Sequence, residues 1–194
     1  MRRSLGLVVV VALTLMVIPA VAGAPLAHRT NADATLAKFG VRTIQAPPAG
    51  VTPLEFDELS ELLRFVRAVK SRGSVDLVVE DPFRSMKSLE IKETCVHLRK
   101  TKSWVPFPTF NLWADVWIAG SGSFWEITDV HERVGLTGIT TFNDLTDTWT
   151  YHRISTDRQS ATIRGGGVVN HYLVFRGVFK LYSQPVSLSI SYRL

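Results

Sequence analysis

The chain has 194 residues, of which 46% are hydrophobic and 20% are charged, and its formal net charge is +5 at pH 7. A chain of this size forms one domain with a core of its own. The single cysteine excludes an intramolecular disulfide, so the core must supply the stability. If Arg2 and Arg3 leave with a signal peptide, 22 basic residues against 17 acidic ones become 20 against 17. So small an excess gives no support to nucleic acid as a partner.

The start of the chain has the pattern of a Sec-type signal peptide over residues 1–22. Two arginines precede an apolar run over residues 5–18, and Ala20 and Ala22 supply the small side chains before a cleavage site at Ala22. The run is shorter than the roughly 20 residues of a membrane-spanning helix. The sequence therefore predicts a secreted or extracellular protein with no transmembrane segment after signal cleavage. The plain signal and the absence of an N-x-S/T sequon favour a bacterial source.

Residues 23–50 are rich in Ala, Thr, Pro and Gly, and they are predicted to form a linker or a loosely attached arm. A single β-rich domain is predicted over residues 51–194, with an N-terminal helix over residues 53–70. Thr52 and Glu55 have capping-box spacing at the start of this helix. Apolar residues recur on one helical face, which indicates a helix that covers a sheet: Phe56, Leu59, Leu62, Leu63, Val66 and Val69.

From residue 75 onward, apolar and polar residues alternate in about eight or nine short strands separated by turns. The alternation is clearest in the last strand, where Val186, Leu188 and Ile190 alternate with serines. This pattern predicts a mainly β protein, an antiparallel β-sandwich with one amphipathic helix packed on its N-terminal side, and a closed β-barrel is the alternative. The glycines at positions 165–167 indicate either a flexible turn or a close approach of another backbone.

The residues that could carry catalysis form no recognised motif. Cys95 and His97 share a strand face, but a lone cysteine inside a strand is usually a small core residue. An acid–imidazole cluster at the end of a strand consists of Asp129, His131 and Glu132. If the fold brings His152 or His171 close to it, the cluster could form a hydrolase site. The favoured interpretation is that the members of this cluster are scattered surface residues without a catalytic role. No catalytic residue, metal site or cofactor is predicted.

Tryptophan is the compositional signal that points to a ligand. Of five tryptophans, Trp113 and Trp117 share a strand face with Asp115. The opposite face of that strand is aliphatic, with Ala114, Val116 and Ile118. If the aliphatic face is the core, the two rings and the carboxylate face outward and could stack a sugar ring and bind its hydroxyl groups. If the polarity is reversed, all three residues belong to the core.

These observations favour an exported, non-catalytic binding module whose partner is a cell-surface glycan or protein. The alternatives are an assembly protein that pairs through strand edges and a small secreted hydrolase. A basic segment could instead contact an anionic polymer or lipid, or its charges could protect an edge strand from pairing with another chain. The residues of this segment are Arg84, Lys87, Lys92, Arg99, Lys100 and Lys102.

Overall fold

The computed structural model describes residues 26–71, 73–81, 93–104, 108–121 and 124–194. The predicted signal peptide lies outside these residues. The described part contains two helices, α1 (Leu26–Lys38) and α2 (Leu59–Lys70), and nine strands. The strands are β1 (Val41–Thr43), β2 (Leu54–Phe56), β3 (Ser74–Glu80), β4 (Glu93–Ser103), β5 (Thr109–Ser121), β6 (Phe124–Thr137), β7 (Asn143–Ile154), β8 (Ser160–Phe175) and β9 (Val178–Arg193). No helix in the described part is long and apolar enough to cross a membrane.

The strands form two sheets that pack against each other. The five-stranded sheet has the order β1-β9-β8-β2, and β7 also pairs with β8. The four-stranded sheet has the order β3-β4-β5-β6, and all its pairs are antiparallel. In the described residues the two sheets stay separate, each with its own edge strands. The mainly β fold and the sandwich are therefore confirmed, and the closed alternative is not the one that forms.

Two hydrophobic cores hold the molecule together. The larger core lies between the sheets and takes one face of the last strand, as the alternation predicted, with Val186, Leu188 and Ile190 buried. The smaller core lies beneath the helices and includes Leu36 of α1 and Leu62 of α2. Strands β8 and β9 contribute side chains to both cores. This pair of strands therefore joins the sandwich to its helical cover.

The predicted helix over residues 53–70 is wrong at its start. Helix α2 begins at Leu59 with Glu58 as its N-cap, and no side chain caps it. Residues 54–56 form strand β2 instead, which pairs in parallel with residues 173–175 of β8. An extended backbone lets Leu54 and Phe56 both pack against the smaller core, so this contact outweighs the local capping signal. The rest of the predicted helix is confirmed.

The expected linker over residues 23–50 is also corrected in part, because α1 and β1 belong to the folded structure. Leu36 and Val41 are buried in the smaller core, and β1 pairs with β9. The Nζ atom of Lys180, which is almost completely buried, lies 2.7 Å from Oδ1 of Asp33 in α1. Asp33 lies in the middle of this helix. The large apolar residues of this segment are few and not periodic, so its docking could not be predicted from the sequence.

The glycines at positions 165–167 lie in the middle of β8, where another backbone or side chain comes close. A Cβ atom at Gly165 would lie 2.6 Å from Cγ1 of Val134 in the opposite sheet. A Cβ atom at Gly166 would lie 2.6 Å from the carbonyl oxygen of Val186. Of the two alternatives, close approach is therefore the correct one: Gly165 leaves room for the opposite sheet, and Gly166 leaves room for the backbone of the neighbouring strand β9.

Candidate functional site

The candidate site lies on the outer face of the four-stranded sheet. In β5, Ala114, Val116 and Ile118 are buried in the larger core. Side chains alternate between the two faces of a strand, so Trp113, Asp115 and Trp117 lie on the outer face. Trp117 is 36% exposed, and the other two are partly buried. The aliphatic face is thus the core, and the three residues proposed for a ligand face away from it.

Acidic and imidazole side chains alternate across the sheet in one row. In the strand register, Glu80 of β3 lies opposite His97 of β4, His97 lies opposite Asp115 of β5, and Asp115 lies opposite His131 of β6. Nδ1 of His97 is 2.7 Å from Oδ1 of Asp115. The row therefore places two carboxylates and two imidazoles side by side.

A second row places Trp113 between two arginines. Its neighbours in the register are Arg99 on β4 and Arg133 on β6. The guanidinium carbons of Arg99 and Arg133 lie 5.8 Å and 5.2 Å from the centroid of the Trp113 ring, within the range of cation–π attraction. The ring also lies against Gly135, where a Cβ atom would be only 3.2 Å from Cζ3 of Trp113. Trp113 is therefore held in place on the sheet surface.

Arg99 is fixed by a buried amide. Its Nε and Nη2 atoms donate hydrogen bonds of 2.9 Å and 2.7 Å to Oδ1 of Asn111. Asn111 is fully buried, and its Nδ2 atom donates to the carbonyl oxygen of Thr109 and to Oγ1 of Thr137. Because two guanidinium N–H groups of Arg99 are bonded to a buried amide that is itself held by further hydrogen bonds, the network sets the orientation of the arginine before any ligand binds.

The two rows border a groove of about 290 Å³. Its polar walls carry two arginines and two carboxylates, and Trp113 supplies an aromatic surface. The lining residues are Val78, Glu80, His97, Leu98, Arg99, Trp113, Asp115 and Arg133. Trp113 and Asp115 therefore meet in one groove, whereas Trp117 lies outside it in the adjacent row. Such a groove can stack a ring, accept hydrogen bonds from hydroxyl groups and donate to an anion.

Cys95 lies beside the groove in the row of Trp117 and Asp129. It shares the outer face with His97, as their spacing predicted, and it is partly buried rather than a core residue. Burial, and to a lesser extent the negative charge of Asp115, raise the pKa of the Cys95 thiol. Sγ of Cys95 and the ligand atoms of His97 and Asp115 all lie within 4.8 Å of one another.

The predicted acid–imidazole cluster is divided among separate places. His131 and Asp129 form a pair on the outer face, with Nε2 and Oδ2 2.9 Å apart. A hydrogen bond from the backbone N–H of Val130, followed by that from His131, lowers the pKa of the Asp129 carboxyl.

Glu132 instead bonds Nδ1 of His152 at 2.9 Å, and its side chain is only 12% exposed. His171 is fully buried in β8, where it stacks on Tyr182 of the smaller core. The hydrolase hypothesis required these side chains to converge. In the structure they form two separate pairs, and His171 belongs to neither.

The basic segment is described only in part, since Arg84, Lys87 and Lys92 lie outside the described residues. Of the rest, Arg99 lines the groove. Nζ of Lys100 donates to the carbonyl oxygen of Ser189 at 2.7 Å, and Nζ of Lys102 lies 5.2 Å from the Trp104 ring. The described bases therefore make contacts within the fold.

The sequence places Trp113 and Asp115 on one strand face, but it did not identify the two arginines, Glu80 or His97 as their neighbours. Alternation along one strand gives the face on which a residue lies, whereas the neighbours depend on the register between strands. Comparison of the chain with protein-family models, with curated proteins and with solved structures finds no match.

Proposed function

We propose that the protein is an exported, non-catalytic binding module whose ligand is a glycan at the cell surface or outside the cell. The glycan binds on the outer face of the four-stranded sheet, with Trp113 and Asp115 in the groove and Trp117 at its border. The observation that carries this proposal is the meeting of Trp113 with two arginines and two carboxylates in one groove.

The residue types of the groove favour a sugar that carries an acidic group. An indole face packs against the apolar face of a sugar ring. The carboxylates of Glu80 and Asp115 can accept hydrogen bonds from hydroxyl groups. Arg99 and Arg133 can bind a carboxylate or sulfate through paired N–H donors. Because Asn111 already orients Arg99, little side-chain entropy is lost at that position on binding.

The test is a binding titration of the chain without its predicted signal peptide (residues 23–194) against neutral, uronate-containing and sulfated polysaccharides, followed by tryptophan fluorescence. We expect the acidic polysaccharides to bind and Trp113→Ala to weaken binding at least tenfold, by analogy with other buried aromatic anchors. Arg133→Gln should lose the preference for acidic polysaccharides, because it removes a charge-assisted donor.

Trp149→Ala provides the matched control, since Trp149 is an exposed tryptophan on the five-stranded sheet. It should leave binding unchanged. An equal loss in Trp149→Ala, or undiminished binding by Trp113→Ala with its thermal midpoint preserved, would contradict the proposal. A large drop in the thermal midpoint of Trp113→Ala would show that the ring serves mainly to pack on the sheet.

A second candidate function is assembly through the edge strand β3. All seven residues of this strand are exposed, and three apolar side chains alternate along it: Val75, Leu77 and Val79, each 44–51% exposed. An apolar edge strand offers unpaired backbone groups to a second chain. If β3 pairs with a second copy, the apparent mass should rise with concentration in analytical ultracentrifugation, and Leu77→Lys should abolish the rise. A monomer at all concentrations would exclude this function.

A further inference from the structure

We propose that Cys95, His97 and Asp115 bind one divalent transition-metal ion of the zinc type. The three side chains come from two neighbouring strands and lie on the same outer face. The site adjoins the groove and shares His97 and Asp115 with it, but the proposal does not rest on glycan binding.

The strand geometry brings the three ligands together. Two-residue spacing puts Cys95 and His97 on one face of β4, and the register sets Asp115 directly opposite His97. The ligand atoms lie within 4.8 Å of one another. The bond lengths of tetrahedral zinc correspond to ligand–ligand separations of about 3.3–3.6 Å. Small side-chain rotations can therefore close the site without moving either strand.

The closest of these contacts is already made. Nδ1 of His97 lies 2.7 Å from Oδ1 of Asp115, and its N–H donates a hydrogen bond to that oxygen. A metal ion would take the place of this proton, which the neutral imidazole would then carry on Nε2, and would join the two atoms at a slightly longer separation. Binding would also release the thiol proton of Cys95, because the thiolate is the form that ligates a metal.

The donor set selects the class of metal. A thiolate and an imidazole suit zinc and similar first-row ions, whereas calcium and magnesium prefer sites made entirely of oxygen ligands. Three protein ligands leave a fourth position for water or for a ligand atom. Glu80 lies opposite His97 on the strand away from Asp115. A carboxylate there is placed to orient the imidazole, as second carboxylates commonly do around metal-bound histidines.

The test uses the reduced, chelator-treated protein. Competition with a chromogenic zinc chelator should show one zinc ion bound per chain. Cobalt(II) should give a near-ultraviolet thiolate-to-cobalt charge-transfer band and visible bands typical of tetrahedral coordination. Cys95→Ser, a small change in shape, should abolish the charge-transfer band. Cys95→Ser and His97→Ala should each weaken zinc binding about tenfold or more, since even the loss of outer-shell partners costs that much.

His152→Gln is the matched control, because His152 also pairs with a carboxylate at 2.9 Å but has no thiol in its pair. It should bind zinc as the parent protein does. Trp113→Ala should also keep the metal, which separates this proposal from glycan binding. Absence of the charge-transfer band in the parent protein would overturn the proposal, and so would zinc affinity unchanged by Cys95→Ser or lost equally in His152→Gln.

Discussion

His171 is a titratable residue that is buried among aromatic side chains. It is fully buried, and its ring stacks on Tyr182 and meets the edge of Phe65. In the described part of the chain neither of its ring nitrogens has a hydrogen-bond partner. Burial alone lowers the pKa of His171 from 6.5 to about 4. The folded protein therefore holds this imidazole neutral, and the uncharged ring acts as an aromatic core residue.

The buried imidazole predicts a loss of stability in mild acid. Below pH 6.5, His171 is protonated in the unfolded chain but stays neutral in the folded chain. The free energy of unfolding should therefore fall as the pH is lowered from 6.5 to about 4. The shift corresponds to about 3 kcal/mol in total. His171→Leu should remove this part of the pH dependence. Urea unfolding of both proteins between pH 7 and pH 4 measures it, and parallel curves for the two would contradict the prediction.

Individual residues also show how far the sequence predicts the site. Alternation along β5 gave two possible polarities for Trp113 and Asp115, and burial of the aliphatic face decides between them. Arg99 and Glu80 could not be predicted as their neighbours, because that position depends on the register of three strands. Nor could Cys95 be placed, since a partly buried outward thiol and a core thiol give the same local pattern.

At the scale of elements, α1 is held to the five-stranded sheet by one polar contact as well as by apolar packing. The side chain of Lys180 on β9 is 3% exposed, and its Nζ atom bonds Oδ1 of Asp33 and Oγ1 of Thr43. A buried ammonium group must be paired, because water no longer solvates it. The contact therefore sets the position of α1 along β9.

We expect Asp33→Ala to destabilise the protein by about 1–3 kcal/mol, because it leaves Lys180 with Thr43 alone. In the double variant Asp33→Ala/Lys180→Met the buried charge is gone, and much of that loss should be recovered. The free energies of unfolding of the two single variants and the double variant form a thermodynamic cycle. If the changes in the free energy of unfolding caused by the two substitutions simply add, the contact between Asp33 and Lys180 does not hold α1 in place.

The elements also differ in how well local patterns predict them. Five of the six residues on the predicted apolar face lie in α2, and Phe56 lies in β2 because the helix starts later than predicted. Thr52 and Glu55 have the spacing of a capping box, but residues 54–56 pair in parallel with β8. A rule based on local sequence cannot take that distant pairing into account. For α1 no strong apolar periodicity exists, so its docking depends on contacts with distant residues such as Lys180.

At the scale of the whole molecule, the two cores are built on the same pair of strands. In β8, Ile163 belongs to the larger core and Leu173 to the smaller one. In β9, Val186 and Tyr182 are divided in the same way. Neither core can lose its strands without exposing the other. The alternation of apolar and polar residues was enough to predict the fold class. It does not reveal the order of the strands, so it could not predict that β8 and β9 contribute to both cores.

We therefore expect a single unfolding transition despite the two cores. Leu62→Ala in the smaller core and Ile163→Ala in the larger one should each cost about 2–5 kcal/mol, since both residues are fully buried. In each variant the unfolding midpoint measured by tryptophan fluorescence should equal the midpoint measured by far-ultraviolet circular dichroism. Two separated transitions in either variant would show that the cores unfold independently.

The sharing of β8 and β9 also has a consequence for how the chain reaches its native state. These two strands form a local hairpin, but Val41 must find Tyr182 and Leu54 must find Leu173 from far away along the chain. Closing a long loop costs chain entropy before the contacts at its ends can form. We therefore expect the N-terminal elements to dock onto β8 and β9 late in folding. Until then Leu173, Phe175 and Tyr182 stay uncovered. We therefore expect aggregation to begin from chains in which this hairpin has formed before the N-terminal elements have docked.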